Sequence, residues 1–239
     1  MGKYLWKNGE EYEGNFQDDY LNGYGTMKYE NGAIYKGDWK NDLKEGNGIF
    51  ILPCGEKYVG KWVNNVLQPE VKVEYLNGER YEGEIDLTNS QKQGKGILTL
   101  NNGDKYEGAW VDDVLQPSVT IQYPNGDKYE GEINVANRTR HGKGVLTFRN
   151  DDKYEGSWEN DMQHGNGREI CRDGKRIYEG VWKEGRMFGE VIMTDVDGKK
   201  FKAQWKALEE EMKEAVIKNE QDCSLLSLMF GFDLKNLTK

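Results

Sequence analysis

This chain repeats itself, and the repeat limits what it can fold into. A Tyr-x-Gly-x-Trp pattern, with degeneracies, returns every 23 to 25 residues. The copies are Tyr12-Gly14-Phe16, Tyr35-Gly37-Trp39, Tyr58-Gly60-Trp62, Tyr81-Gly83-Ile85 and Tyr106-Gly108-Trp110. They continue as Tyr129-Gly131-Ile133, Tyr154-Gly156-Trp158, Tyr178-Gly180-Trp182 and the worn-down Phe201-Ala203-Trp205. A period of this length means one supersecondary element per copy, stacked on its neighbours, in place of a single thick core.

Each copy reads as a β-hairpin. Alternation puts Tyr12, Gly14 and Phe16 on one face, with Glu11, Glu13 and Asn15 on the other. Val71, Val73 and Tyr75 alternate against Lys72 and Glu74, and Val119, Ile121 and Tyr123 against Thr120 and Gln122. Asn31-Gly32, Asn77-Gly78, Asn102-Gly103 and Asn125-Gly126 are turn signals between strands. Most copies also carry a Gly-x-Gly after the anchor, where a strand glycine leaves room for a bulky ring to lie across the backbone.

The pattern resembles the MORN (membrane occupation and recognition nexus) repeat family, built on Y-x-G-x-W and G-x-G, with about nine repeats over residues 8–205. The resemblance implies an all-β repeat fold: an elongated, twisted, single-layer antiparallel sheet of consecutive β-hairpins with an aromatic-lined groove. It also implies scaffolding or partner binding at cytoskeletal or membrane-associated structures.

Several copies depart from the pattern. Ile85 and Ile133 stand where Trp is expected, and their repeats hold two extra residues before Gly94-Lys95-Gly96 and Gly142-Lys143-Gly144. Asp151 replaces a turn glycine, and Val191 follows Gly189 in place of a second Gly. Pro69 and Val71, then Pro117 and Val119, fill the places that Gly23 and Gly25 hold in the first copy. Residues 58–105 and 106–153 align without gaps and about half are identical. Tandem duplication of a two-repeat block explains this cycle, and so does a partner that reads the alternation along the sheet. Exchanging Gly for Val while a neighbour exchanges Trp for Ile roughly conserves inner-face volume. Val71 and Val119 are therefore expected on the aromatic face. Pro69 and Pro117, which cannot donate to a ladder, are expected at strand starts.

Composition removes other function classes. A net charge of −9 argues against nucleic-acid binding and weakens electrostatic attraction to anionic lipid. The odd three cysteines suit a reducing compartment. Neither a signal peptide nor a membrane span is expected from the start "MGKYLWKNGE" or from any apolar run. Trp6 stands where N-myristoylation of Gly2 would call for Ser or Thr. His141 and His164 precede glycines in equivalent repeats and are expected as solvated turn residues without a nucleophile or orienting partner. Asp18-Asp19 and Asp112-Asp113 are placed in turns and lack calcium-loop spacing. The chain is thus expected to be no enzyme and to hold no cofactor or metal.

Two domains are expected: the hairpin array over residues 1–205 and a C-terminal helical tail over 206–239. The tail's Leu225, Leu226, Leu228, Met229, Phe230 and Phe232 are too apolar for a free solvated segment and are candidates for docking on the sheet or on a partner. A helix of 18 residues would be about 27 Å long, far short of a sheet of that many strands at roughly 4.8 Å spacing. The rest of the face must close by its own curvature, expose aromatic surface or bind something, and a binding surface is the expectation. Candidate groove residues are Tyr35, Trp39, Tyr58, Trp62, Tyr106, Trp110, Tyr154 and Trp158; packing on one another is their bland alternative. The expected function is a cytoplasmic scaffold that binds a helical or extended segment of a protein in a cytoskeletal, ciliary or cortical assembly. A peripheral phospholipid tether and a regulatory module of an enzyme complex are the alternatives, and the open sheet ends allow a homodimer.

Overall fold

The computed structural model describes residues 1–205. Contacts divide the chain into two compact units at Gln116/Pro117. The first unit holds β1 (Gly2–Leu5), β2 (Glu11–Gln17), β3 (Tyr20–Lys28), β4 (Ile34–Lys40) and β5 (Leu43–Ile51). It continues through β6 (Lys57–Val63), β7 (Val66–Glu74), β8 (Arg80–Ile85), β9 (Lys92–Thr99) and β10 (Lys105–Val111). β11 (Val114–Gln122) begins just ahead of the division. The second unit adds β12 (Lys128–Asn134), β13 (Thr139–Thr147), β14 (Lys153–Glu159) and β15 (Met162–Ile170). It closes with β16 (Ile177–Lys183), β17 (Arg186–Thr194) and β18 (Lys200–Gln204). Within each unit every strand pairs antiparallel with its neighbours in sequence, so both are open sheets of consecutive hairpins. The tail and its docking residues Leu225, Leu226, Leu228, Met229, Phe230 and Phe232 lie outside the described residues.

Two kinds of turn alternate. Asp18-Asp19, Asn41-Asp42, Asn64-Asn65, Asp112-Asp113 and Asn160-Asp161 have both φ values positive. That is the two-residue mirror-image turn whose twist suits a hairpin, and Asn and Asp tolerate it best after Gly. The Asn-Gly signals mark the other kind. In the first, the Gly32 N–H donates to the Tyr29 carbonyl at 2.9 Å, with Gly32 at φ 87°. Asp151 takes the same left-handed conformation, at φ 69°, in the turn where glycine is missing.

Seven of the Tyr-x-Gly-x-Trp strands meet the following strand with a register shift just past the middle glycine, as between Gly14 and Phe16 or Gly37 and Trp39. In the regular repeats that bulge is turned by a left-handed glycine, such as Gly23 at φ 71° and Gly46 at φ 66°.

Val71 and Val119 are buried, as expected, but the prolines are not at strand starts. Pro69 and Pro117 are the fourth residues of β7 and β11. Pro69 fits there because it stands in the bulge. β6 and β7 are in register at Trp62–Leu67 and again at Gly60–Val71, with Pro69 between, and pairing with β8 begins only at Glu70. No ladder hydrogen bond is lost to its missing N–H. The histidines also differ from expectation. His141 and His164 lie in β13 and β15, immediately before the bulge glycines Gly142 and Gly165.

Candidate partner-binding face

The inner face is built from tyrosines lying on glycines. Gly14 and Gly25 sit opposite each other, and a Cβ on either would run into the Tyr12 ring. Tyr35 covers Gly37 and Gly48, Tyr81 covers Gly83 and Gly96, Tyr129 covers Gly131 and Gly144, and Tyr154 covers Gly156 and Gly167. Each of these five tyrosines donates its hydroxyl proton to the backbone carbonyl three residues on, for example Tyr35 to Asp38 at 3.1 Å and Tyr81 to Glu84 at 2.8 Å. All five side chains are fully buried. A phenol excluded from water holds its proton tightly, so the Tyr35, Tyr81, Tyr129 and Tyr154 pKa values are driven upward, with burial as the leading cause in each.

Where valine replaces the second glycine, the cradle is gone. Val71 fills the space opposite Gly60, and the nearest atoms to a Cβ on Gly60 belong to Leu67, Glu70 and Val71, not Tyr58. Tyr58 is half-exposed there. In the second unit Val191 stands opposite Gly180 in the same way and Tyr178 is off its glycine. The exchange is therefore one of ring position as well as volume. After the displaced Tyr58 the next repeat buries Ile85 where a tryptophan would stand, whereas the repeat after Tyr178 keeps a buried Trp205.

The tryptophans fall into two groups. Trp39, Trp110 and Trp158 each donate their indole N–H to a glycine carbonyl of the preceding repeat, at Gly25, Gly96 and Gly144 and at 3.2 to 3.4 Å. Trp62 and Trp182 have buried indole nitrogens with no acceptor among the described residues. The difference follows the neighbour. Trp39, Trp110 and Trp158 follow repeats carrying Phe16, Ile85 and Ile133, whereas Trp62 and Trp182 follow Trp39 and Trp158. Two successive indoles hold one tyrosine between them edge-on, Tyr35 at 5.1 and 5.2 Å and Tyr154 at 5.1 and 5.0 Å.

Cations lie over this ladder. The Lys44 ammonium stands 4.8 to 5.4 Å from the centroids of Tyr29, Tyr35, Phe50 and Trp62. Burial among those rings lowers its pKa. Lys92 lies over Tyr75, Tyr81 and Trp110 and pairs with Asp113 at 2.9 Å. In the second unit Arg140 stacks 4.3 Å from Trp158 and pairs with Asp161 at 3.1 Å. Such contacts are favourable because the ring faces carry negative quadrupole density. The same residues receive the next turn. The Asp113 carboxylate accepts from the Lys92 N–H and the Asp113 N–H donates back to the Lys92 carbonyl; Asp161 and Arg140 repeat the exchange.

Of the eight candidate groove residues, Tyr35, Trp39, Trp62, Tyr106, Trp110, Tyr154 and Trp158 are buried, and Tyr58 alone is half-exposed. Within each unit the buried ones form the floor of its inner face. The accessible rim in the first unit is a set that sequence reasoning missed: Tyr29, Phe50 and Leu67, partly buried against the core, with Lys44 beside them. An open hollow of about 580 Å³ is bordered by Glu10, Tyr29, Glu30, Asn31, Lys44 and Phe50. The missed signal was present. The residue that follows the anchor by nine positions, or eleven in the longer repeats, alternates between Leu and a cation: Leu21, Lys44, Leu67, Lys92, Leu115, Arg140. The opposite face carries cross-strand ion pairs exposed to solvent, such as Lys57–Glu74 and Lys72–Glu82, each worth little in high dielectric. Among the described residues no group of His, Cys, Asp and Glu side chains is arranged to hold a metal ion, and no helix is long and apolar enough to cross a membrane.

A family model described as MORN repeat matches residues 12–34, 35–55, 86–105, 139–153, 154–176 and 178–200, more than half of the chain. No curated protein sequence matches it. Among solved structures, the TCP domain of Drosophila melanogaster SAS-4 (dCPAP), in complex with a proline-rich motif of Ana2, is similar at 12% identity and TM-score 0.45. That match covers 66% of this chain and 84% of that one. The TCP10 domain of Danio rerio CPAP is similar at 13% identity and TM-score 0.37, over 85% of this chain and 99% of that one.

Proposed function

This chain is a member of the MORN repeat family, and we propose that it works as a non-enzymatic scaffold whose inner face binds a segment of a protein partner. The observation that carries this reading is the rim above the buried ladder. Tyr29 and Phe50 are half-buried rings beside the partly desolvated Lys44, bordering an open hollow over a floor that the tyrosine–glycine packing holds rigid. Rings and an ammonium held in place offer contact area at little conformational cost, which is how anchor residues act at interfaces. A helical or extended segment carrying apolar side chains and a carboxylate for Lys44 fits that chemistry. A cytoplasmic site in a cytoskeletal or axonemal assembly is the finer proposal, and it draws on the family resemblance alone.

Crosslinking mass spectrometry of the endogenous complex tests the reading, run beside variants of each face. Tyr29→Glu with Phe50→Glu should abolish crosslinks to the partner, and Lys72→Glu on the opposite face should leave them in place. Retention of the partner by the inner-face variant, with loss by the outer-face variant, would sink the proposal.

A further inference from the structure

Within both units the repeats set a first strand, carrying Tyr-x-Gly-x-Trp, against a second strand at one level. Gly14 lies opposite Gly25 and Tyr12 opposite Met27; Gly37 lies opposite Gly48 and Tyr35 opposite Phe50. The second strand meets the next first strand at that same level, with Gly25 opposite Gly37 and Met27 opposite Tyr35. β1 fits half of this scheme. Gly2 lies opposite Gly14 and Tyr4 opposite Tyr12, so β1 is a second strand with no first strand beside it among the described residues. β18 is the other half. Ala203 lies opposite Val191 and Phe201 opposite Met193, so β18 is a first strand with no second strand beside it among the described residues.

We propose that copies of this chain join head to tail, β18 of one copy adding to β1 of the next in the register that the internal repeats use. The two edges complement each other because each lacks what the other presents. Continuing the ladder sets Ala203 opposite Gly2 of the next copy and Phe201 opposite Tyr4. Tyr4 is 53% exposed, Leu5 65% and Phe201 44%, and the edge N–H and C=O groups that meet no strand among the described residues gain partners. Lys202 falls opposite Lys3, a like-charge neighbour that weakens the joint. Their carboxylates temper it, with Glu190 2.8 Å from Lys202 and Glu11 3.1 Å from Lys3. An edge of four or five residues buries little surface, so the association is weak and concentration-dependent. It is also heterologous, so it propagates beyond a dimer unless the rotation closes a ring. The joint uses the sheet edges and is independent of the inner-face reading above.

Sedimentation velocity on the full chain tests this from about 1 to 100 μM. Wild type should form species larger than a dimer as concentration rises. Tyr4→Glu and Phe201→Glu, at exposed positions, should each stay monomeric alone. Mixed in equal amounts they should give a one-to-one dimer, because each keeps the edge that the other has lost. Lys3→Gln removes the like-charge pair and should tighten wild-type association roughly two- to fivefold, while Glu11 keeps its second partner Lys28. A wild type that remains monomeric throughout, as when residues 206–239 cover β18, overturns the proposal. Dimers formed by either single variant alone, which would mean that like edges pair, overturn it as well.

Discussion

The Tyr35 ring fills the place that a side chain at Gly48 would need: a Cβ there would meet the ring's Cζ at 2.6 Å. Neither group can yield easily. The tyrosine is held between Trp39 and Trp62, and its hydroxyl is bonded to the Asp38 carbonyl. Where two strand glycines face each other in this chain, they are therefore half of a packing pair.

Gly48→Val should destabilise the chain by about 2–3 kcal/mol, the cost of overpacking a filled core. Tyr35→Leu alone should also destabilise. The double substitution should be milder than the sum of the two, since residues in contact couple. Urea unfolding of the three variants measures the coupling, and strict additivity would contradict the cradle.

Trp39→Phe and Trp62→Phe should not cost the same. The first removes a buried hydrogen bond and leaves the Gly25 carbonyl without that donor, whereas the Trp62 indole N–H has no acceptor to lose among the described residues. The loss of ring volume is common to both. Trp39→Phe should therefore be more destabilising by about 1 kcal/mol, read from thermal or urea melts.

Alkaline pH should unfold the protein cooperatively. Burial pushes the Tyr29 and Tyr75 hydroxyls up to about 12, and drives Tyr35, Tyr81, Tyr129 and Tyr154 in the same direction. A raised folded-state pKa supplies stability that is complete below the unfolded value, about 10, and is lost as pH climbs through the folded value. The fall should thus run from about pH 10 to 12. The tyrosinate absorbance of the buried rings and the circular dichroism should change together in that window. Ionisation of all 14 tyrosines while the sheet persists would count against buried tyrosines.

The two bulge types should not be interchangeable. Gly46 sits at φ 66°, closed to proline, and a Cβ there would meet the Asp38 carboxylate at 2.8 Å. Gly46→Pro should cost about 3 kcal/mol or more. Pro69→Gly should cost under about 1 kcal/mol, mostly through unfolded-chain entropy. Equal effects in denaturant melts would mean that the bulges share one backbone conformation.

Hairpins, turns and faces were legible in the residues, because period-two alternation and Asn, Asp and Gly turn chemistry act within a few positions. The burial of Val71, Val73, Val119 and Ile121 and the paired left-handed turn at Asp18-Asp19 follow from that alone. The prolines and histidines were misplaced for a related reason. A bulge is a relation between two strands, and Gln68-Pro69-Glu70 or His141-Gly142 does not reveal where pairing slips. The groove was legible as a face but not as a site. Whether a ring lies on its glycines depends on whether the strand beside it brings Gly or Val, as Tyr35 and Tyr58 show.

By itself the sequence determined a ladder of antiparallel hairpins with one aromatic side, since strand alternation, turn conformation and the repeat period are short-range properties of the chain. Only the tertiary structure decided which rings are floor and which are rim, which indoles find a carbonyl, and that Lys44, Lys92 and Arg140 lie on aromatic faces. Those outcomes are set between residues on neighbouring strands, up to 21 positions apart, such as Trp110 with the Gly96 carbonyl and Lys92 with Asp113. There the geometry of neighbouring strands, and not the identity of any one residue, selects the partner.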